Sequence, residues 1–291
     1  MQFEKPTSIP IFDFGGSGPT INLAVANGFP PGTYAPLIEP LTSKYHVVSV
    51  QPRALWNDPP DPEVLSSWYM LADDLLAGLK EHNLTDVISI GHSMGGVAAM
   101  LAAIAEPSRF RALILLDPTL LSPPVVNMLY FLRIIGQMNR FPLARGALKR
   151  RNHFDSVDTA FAYWRRKQLF KMWSDEALRI YAECMTQPSS DGNGLELVWP
   201  PAWESQYFKT VLLDWPREVK KLRDLMPILA IQGSRTNTFT NSSAGIFRRL
   251  VPNAAVRKIK NHGHLFPMTA PEEVRNLITE WLAELPVKNK G

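Results

Sequence analysis

Residues 87–103 read VISIGHSMGGVAAMLAA and combine three local patterns in direct succession. The apolar run of residues 87–90 is typical of a short buried strand. The next residues, 91–95, have the form Gly-x-Ser-x-Gly, and a helix-prone run follows them. A serine flanked by glycines between a strand and a helix is typical of a sharp turn that exposes the hydroxyl group. We therefore predict a strand, a tight turn at Ser93, and a helix whose first amide groups face that serine.

Short apolar runs recur on both sides of this stretch and alternate with helical patterns. Runs of this length between Gly, Pro or Asp favour parallel strands that are covered on both faces. Strand–helix alternation predicts an α/β fold with an open, mostly parallel sheet. The predicted strands are residues 23–25, 47–50, 87–90, 113–116 and 228–231.

The alternation stops between the last two of these strands. Helical, aromatic and basic stretches fill the interval, and no strong strand pattern occurs there. Because a structureless loop of about a hundred residues is implausible inside a compact domain, we predict a helical insertion. The chain then divides into a first core part, residues 1–118, a helical cap, residues 119–222, and a second core part, residues 223–291.

Local signals predict two smaller features. An apolar stripe near the C-terminus indicates a last helix, for which Thr269 and Glu272 form a capping-box pattern with Pro271 in the first turn. The glycine-rich residues 15–18 fit a hairpin-like turn.

The composition is that of an ordinary globular protein. With 45% hydrophobic and 20% charged residues, the chain is neither disordered nor collagen-like nor a coiled coil. Its 31 basic residues exceed its 27 acidic ones by too few to indicate a nucleic-acid partner. The one cysteine, Cys184, excludes an internal disulfide framework and an all-cysteine metal site. No phosphate-binding loop or His-Glu-x-x-His spacing occurs, so we expect neither a metal nor another cofactor.

Targeting signals are not visible in the sequence. Residues 1–6 are charged and lack the apolar run of a signal peptide, and residues 287–291 match no retention or lipidation signal. No run of 18 apolar residues occurs. We therefore expect a cytoplasmic protein without integral membrane association, while its oligomeric state does not follow from the sequence.

The chain resembles members of the α/β-hydrolase superfamily, in the branch that has a serine nucleophile and a helical cap. Three segments carry the resemblance: residues 27–30 (NGFP), residues 91–96 (GHSMGG) and residues 263–267 (GHLFP). They occur in the superfamily's order. The resemblance implies a doubly wound sheet with a cap and a serine–histidine–acid triad that acts on a small molecule. It does not specify the substrate.

Serine is a poor nucleophile without an adjacent base, so Ser93 needs a histidine. The resemblance places this base in the loop after the last strand, where the chain has His262 and His264. We assign His264 as the base, because it lies in the matching Gly-His-Leu-Phe-Pro segment. His262 is expected to support the loop or to face solvent, and His92 to pack or to orient its neighbours.

The acid is the point at which the sequence departs from the family pattern. Most relatives have an aspartate three residues after a glycine that follows the strand at 228–231, but residues 233–238 (GSRTNT) contain no carboxylate. Asp117, at the end of the strand before the insertion, is the other candidate, because ligand chemistry collects at the carboxyl ends of parallel strands. Two alternatives stay open: Asp117 only caps its own turn, or Thr236 or Asn237 orients His264 through a neutral hydrogen bond.

An oxyanion hole needs two hydrogen-bond donors. The first is the backbone N–H of Met94, at the start of the helix after the serine. By resemblance the second is the backbone N–H of Phe29. The family commonly has His-Gly where this chain has Asn27-Gly28, which leaves a backbone donor available.

These residues predict a serine hydrolase that cleaves an ester or related acyl bond of a small, largely apolar substrate through an acyl-enzyme. Carbon–carbon bond hydrolysis, acyl transfer and perhydrolysis use the same groups and stay open. Haloalkane dehalogenase and epoxide hydrolase activities are disfavoured, because those relatives use a carboxylate nucleophile. A non-catalytic small-molecule binding or receptor protein is the alternative from another class, and the missing carboxylate after the strand at 228–231 motivates it.

The insertion is strongly basic. Residues 133–179 contain eleven basic and four acidic side chains. This excess fits a solvated helix surface, the attraction of an anionic substrate such as a carboxylate or an acyl thioester, or contact with a membrane surface or a partner.

Overall fold

The structure is a computed structural model that describes residues 8–285. The terminal segments used for the localisation prediction, residues 1–6 and 287–291, lie outside the described residues. Within the described part the chain forms ten strands: β1 (Ile11–Gly15), β2 (Thr20–Ala24), β3 (His46–Val50), β4 (Val87–His92), β5 (Phe110–Leu116), β6 (His153–Phe154), β7 (Thr186–Pro188), β8 (Leu195–Leu197), β9 (Ile228–Gly233) and β10 (Ala255–Ile259).

Residues 8–285 also contain twelve α-helices. They are α1 (Ala35–Ile38), α2 (Tyr69–Glu81), α3 (Met94–Ala105), α4 (Pro123–Ile134), α5 (Pro142–Leu148), α6 (Val157–Arg165), α7 (Asp175–Met185), α8 (Pro201–Lys209), α9 (Trp215–Lys220), α10 (Asn241–Leu250), α11 (Phe266–Thr269) and α12 (Pro271–Ala283).

Seven strands form the central sheet, in the spatial order β1-β3-β2-β4-β5-β9-β10. Every neighbouring pair is parallel except β1 and β3, which are antiparallel. Strands β4, β5 and β9 at its centre are almost wholly buried, as expected for apolar strands covered on both faces. Helices flank the sheet in two groups: α1, α11 and α12 pack together, and α2, α3, α9 and α10 form the other group. The predicted α/β fold and its mostly parallel sheet are confirmed.

Between β5 and β9 the chain forms six helices and a small second sheet, all within the described residues. Helices α5 and α8 pack together, as do α6 and α7. The second sheet is antiparallel, in the order β6-β8-β7. Its three short strands were missed in the sequence, because runs of two or three residues carry too little pattern. Helix α9 lies inside the predicted cap but packs against α3 and α10, so the boundaries at 118/119 and 222/223 stay predictions.

Two local predictions are wrong. Helix α12 begins after Ala270, and no side chain caps it, because the Thr269 hydroxyl bonds to His262 instead. Pro271 does occupy the first turn. Residues 15–18 do not form a hairpin turn, because β1 pairs with β3 and has no ladder to β2 among the described pairs.

Candidate active site

The turn at Ser93 connects β4 directly to α3. Ser93 has φ +57° and ψ −117°, a strained backbone conformation for a residue with a side chain. A Cβ atom on Gly91 would lie 2.6 Å from the Gly95 carbonyl oxygen, and one on Gly95 would lie 2.2 Å from the Ala24 carbonyl oxygen. Both contacts are with backbone, so only glycine fits. The two glycines of the motif therefore allow α3 to pack tightly behind the serine.

The Ser93 hydroxyl lies against the loop that follows β10. Its Oγ is 2.9 Å from His264 Nε2 and 3.2 Å from Thr119 Oγ1. Ser93 is only 8% exposed, whereas the His264 side chain is 24% exposed. The imidazole is therefore more accessible to solvent than the serine hydroxyl and can exchange protons with water.

Asp117 follows β5 and is completely buried, with a left-handed φ of +43°. Its Oδ2 lies 2.7 Å from His264 Nδ1. Since an ionised carboxylate only accepts hydrogen bonds, Nδ1 carries the proton and Nε2 is free to accept the proton of the Ser93 hydroxyl. The structure thus brings Ser93, His264 and Asp117 into one hydrogen-bonded row.

Two further donors hold the Asp117 carboxylate. The Gly233 amide donates to Oδ1 at 3.0 Å, and the Thr236 hydroxyl donates to Oδ2 at 2.5 Å. Thr236 is three residues after Gly233, where the resemblance places the acid in most relatives. Thr236, which occupies the position where a carboxylate was expected, therefore supports the Asp117 carboxylate, which reaches the site from β5.

Neither neutral candidate bonds to His264 within the described residues. Thr236 bonds to Asp117, and the Asn237 side-chain oxygen accepts from the Thr238 hydroxyl at 3.4 Å. Thr119, which contacts the Ser93 hydroxyl, was missed in the sequence. Its position two residues after Asp117 is the only signal that could have indicated it.

The two predicted oxyanion donors differ in their surroundings. Met94 is the first residue of α3, so its N–H has no acceptor within the helix. The Phe29 N–H donates to the Ala26 carbonyl at 3.2 Å and closes a turn over residues 26–29, where Gly28 has φ +81°. We name these residues the 26–29 loop.

The inserted segment holds the 26–29 loop from outside. The Asn27 side-chain amide donates to the Glu204 carbonyl at 2.9 Å, and the Tyr181 hydroxyl donates to the Gly28 carbonyl at 3.4 Å. Arg150 in turn donates to the Glu204 carboxylate and, at 2.9 Å, to the Tyr181 hydroxyl. Burial by itself lowers the pKa of Arg150, but Tyr181 and Glu204 raise it above its ordinary value. Arg150 therefore stays charged and anchors the loop through its two partners.

His92 supports the same loop from inside through Tyr34. It is completely buried, with Nδ1 2.8 Å from the Tyr34 hydroxyl and Nε2 3.0 Å from the His264 carbonyl. A carbonyl only accepts, so Nε2 carries the proton, and Nδ1 accepts from Tyr34, whose hydroxyl accepts from the Ala26 N–H at 3.0 Å. Burial, together with the nearby His264, lowers the pKa of His92 well below its ordinary value. His92 is thus a neutral bridge from the loop to the backbone of His264.

The remaining candidates lie apart from this row. His262 Nδ1 lies 2.7 Å from the Thr269 hydroxyl. Burial raises the pKa of the Cys184 thiol to about 11, so the thiol stays protonated near neutral pH. In residues 8–285 no group of three or more His, Cys, Asp or Glu side chains is placed to hold a metal ion.

Comparisons with known proteins identify relatives at low identity. Ethanol acetyltransferase 1 from Hanseniaspora uvarum is 20% identical over 223 residues, which are 72% of this chain but 64% of that protein, less than two thirds of its length. Among solved structures, an E-2-(acetamidomethylene)succinate hydrolase matches with a TM-score of 0.77 and 20% identity over 94% of both chains. An enol-lactonase from Burkholderia xenovorans LB400 matches with a TM-score of 0.64 and 17% identity over 94% of this chain and 96% of that one.

Among the helices of the described chain, none is long and apolar enough to cross a membrane.

The family model for the alpha/beta hydrolase fold matches residues 25–271, from the residue after β2 to the first residue of α12. This match includes the turn at Ser93, the insertion and the His264 loop. The chain therefore belongs to the α/β-hydrolase fold family.

Proposed function

We propose that the protein is a serine hydrolase that cleaves an ester or a related acyl bond of a small substrate through an acyl-enzyme. One observation carries this proposal. An unbroken hydrogen-bond row joins Ser93 Oγ to His264 Nε2 at 2.9 Å and His264 Nδ1 to Asp117 Oδ2 at 2.7 Å. This order of nucleophile, base and acid is the one that activates a serine hydroxyl.

In the first half of the reaction, Ser93 Oγ attacks the substrate carbonyl while its proton passes to His264 Nε2. Asp117 holds the imidazole in the tautomer that can accept this proton and stabilises the imidazolium that forms. The imidazolium then returns the proton to the leaving alcohol. The product of this half is an ester between Ser93 and the acyl group.

The negative charge on the carbonyl oxygen requires two donors, for which we propose the Met94 and Phe29 amides. Met94 is well suited, because its N–H has no partner within α3. The Phe29 N–H is shared with the Ala26 carbonyl at 3.2 Å, a long contact that a three-centre bond to the oxyanion can accommodate.

In the second half, water attacks the acyl-enzyme with His264 as base and releases the acid. An alcohol in place of water would give a new ester, which is acyl transfer. The relative named ethanol acetyltransferase 1 favours keeping this second outcome. Product analysis with and without ethanol separates the two. If the ratio of ethyl ester to free acid stays far above the molar ratio of ethanol to water, the enzyme transfers the acyl group to the alcohol.

A non-catalytic binding protein was motivated by the missing carboxylate after β9. Asp117 lies within hydrogen-bond distance of His264, where it can serve in place of that carboxylate, and this contact supports the enzyme over the binding protein. That the protein works in the cytoplasm stays a prediction from the sequence.

An activity-based fluorophosphonate probe tests the proposed function. We expect covalent labelling of the wild-type protein and none of Ser93→Ala. Ser242→Ala is the matched control, since this exposed serine lies on α10, away from His264, and should leave labelling intact. Equal labelling of wild type and Ser93→Ala would show that another residue is the nucleophile.

A further inference from the structure

A cavity of about 270 Å³ lies between the 26–29 loop and the inserted segment. Asn27, Gly28 and Phe29 line one side of it, and residues on and next to α5, α6 and α7 line the other. This volume is slightly below the range of about 300–1,000 Å³ that is usual for small-molecule sites, so the ligand part that it holds must be small. Phe29, whose amide is a proposed oxyanion donor, is the residue through which the cavity adjoins the proposed site, since neither Ser93 nor His264 lines it.

The wall of the cavity is aromatic. The ring of Phe29 lies 5.5 Å from that of Tyr181, and the Tyr181 ring lies 4.9 Å from both Trp164 and Phe170. All four side chains are buried. They form one continuous apolar surface, which suits the hydrocarbon part of a ligand.

The charged side chains of the cavity are mostly cationic. Its lining contains Lys149, Arg150 and Lys167 but one carboxylate, Glu204. Lys149 and Lys167 are exposed at the rim, and Lys167 Nζ lies 4.3 Å above the ring of Tyr163. A positive excess around a concave apolar surface attracts anions more strongly than the same charges on an open face.

Arg150 is less exposed than the two lysines and has N–H donors that make no hydrogen bond among the described residues. Its side chain is 19% exposed, and the guanidinium donates to Glu204 and Tyr181, the only hydrogen-bond partners of this side chain within the described residues. A guanidinium carries five N–H groups, so it can bind an oxygen anion while it keeps both partners.

We propose that this cavity binds the tail of an acyl substrate and that the tail ends in an anion, a carboxylate or a phosphate. The inference rests on the proposed function for the reacting carbonyl and goes beyond it in assigning the substrate class. Lys149 and Lys167 pair with the anion at the rim, and Arg150 offers further donors. The small concave volume suits a small acid rather than a nucleic acid or a membrane surface.

Direct binding tests the cavity without catalysis. Calorimetry on Ser93→Ala uses glutarate, propyl phosphate and the neutral analogue glutaramide. We expect one or both anions to bind more tightly than glutaramide, and the stronger anion identifies the group. Combining Ser93→Ala with Lys149→Met and Lys167→Met should weaken anion binding about tenfold, because each partly exposed ion pair contributes a factor of up to about five.

The matched control carries Lys44→Met and Lys171→Met on Ser93→Ala. Both lysines are exposed and lie outside the cavity, and the loss of charge is the same. Anion binding should be retained in this control. Failure of both anions to bind, or equal weakening by the two lysine pairs, overturns the cavity assignment.

Two esters separate this inference from the proposed function. The anionic 4-nitrophenyl hydrogen glutarate and the neutral 4-nitrophenyl 5-methylhexanoate have similar shapes. We expect the wild type to favour the anionic ester in kcat/KM about tenfold, a preference that the loss of Lys149 and Lys167 reduces. Equal hydrolysis of both esters through Ser93 overturns the cavity assignment alone. If neither ester is hydrolysed while lysine-dependent anion binding persists, the cavity assignment stands and the proposed function fails.

Discussion

At the residue scale, Asp117, which we propose as the acid, follows β5, whereas the family pattern that the sequence resembles has an acid after the strand corresponding to β9. Asp117 extends from β5 to His264, and Thr236, from the loop after β9, donates to the same carboxylate oxygen. Two neighbouring parallel strands end at the same edge of the sheet, so either one can bring a side chain to the histidine. In this chain β5, and not β9, supplies the carboxylate that bonds to His264.

Asp117→Asn is expected to leave the fold intact and to lower kcat by up to about 10⁴-fold, because an amide can hold the imidazole in the wrong tautomer. Thr236→Val and Asn237→Ala should each lower kcat on the order of tenfold or less, since the carboxylate remains. Steady-state kinetics on a nitrophenyl ester measure all three. A larger loss in Asn237→Ala than in Asp117→Asn would remove Asp117 from the triad.

His92 predicts a pH-dependent stability. Its pKa in the folded state lies well below that of the unfolded chain, about 6.5, so the unfolded chain binds the proton first as the pH falls. The free energy of unfolding should therefore decrease below about pH 6.5, by up to about 1.4 kcal/mol per pH unit from this group.

Urea unfolding of wild type and His92→Gln between pH 7.5 and pH 5 isolates the contribution of His92. The difference in free energy of unfolding between the two proteins should shrink as the pH falls, because the variant lacks the group that titrates. A difference that stays constant over this range would mean that His92 is not held neutral.

At the element scale, the turn at Ser93 depends on how closely α3 approaches the sheet. Ser93 has a strained conformation, and Gly95 lies against the carbonyl of Ala24 on β2. The packing of a strand against a helix, and not the conformational preference of serine, keeps the backbone of Ser93 in this conformation. This packing gives the hydroxyl a fixed direction toward His264 before any substrate binds.

Gly95→Ala is expected to lower the free energy of unfolding by about 3 kcal/mol, because the new Cβ would lie 2.2 Å from a backbone oxygen. Gly245→Ala is the matched control. Gly245 is exposed in the middle of α10 with nothing near its Cβ position, so alanine there should raise the free energy of unfolding by about 0.5–1 kcal/mol. Urea denaturation tests both, and equal effects would contradict the close approach of α3.

At the scale of the whole molecule, the inserted segment takes part in shaping the site. It contacts the 26–29 loop through Glu204 and Tyr181, while the core contacts the same loop through Tyr34, whose hydroxyl bonds to His92. The loop is therefore held from two sides by elements distant in the chain. Movement of the insertion would shift the loop that carries Phe29.

Tyr181→Phe is expected to lower kcat about tenfold, because the Gly28 carbonyl and one Arg150 donor lose their partner and the loop is less firmly held. Tyr207→Phe is the matched control: its buried hydroxyl accepts from the Ala54 N–H, away from the loop. Both variants should lose similar thermal stability, but Tyr207→Phe should keep its kcat. Equal losses of kcat would indicate a general effect of destabilisation.

Local patterns in the sequence determined the central strands, the turn at Ser93 and the α/β class. Apolar periodicity and glycine placement act over a few neighbouring residues, so they can be read without the fold. His264 and Asp117 were predicted in another way, from the resemblance to a family and from the positions of strand ends.

The tertiary structure alone decided which groups meet. The Asp117–His264 bond joins residues 147 apart in the sequence, the Thr236–Asp117 bond joins residues 119 apart, and the Asn27–Glu204 contact joins residues 177 apart. The strand order, the small second sheet and the cavity likewise follow from packing between distant segments. Contacts of this kind have no sequence period, because they depend on which strand ends and helices the chain brings side by side.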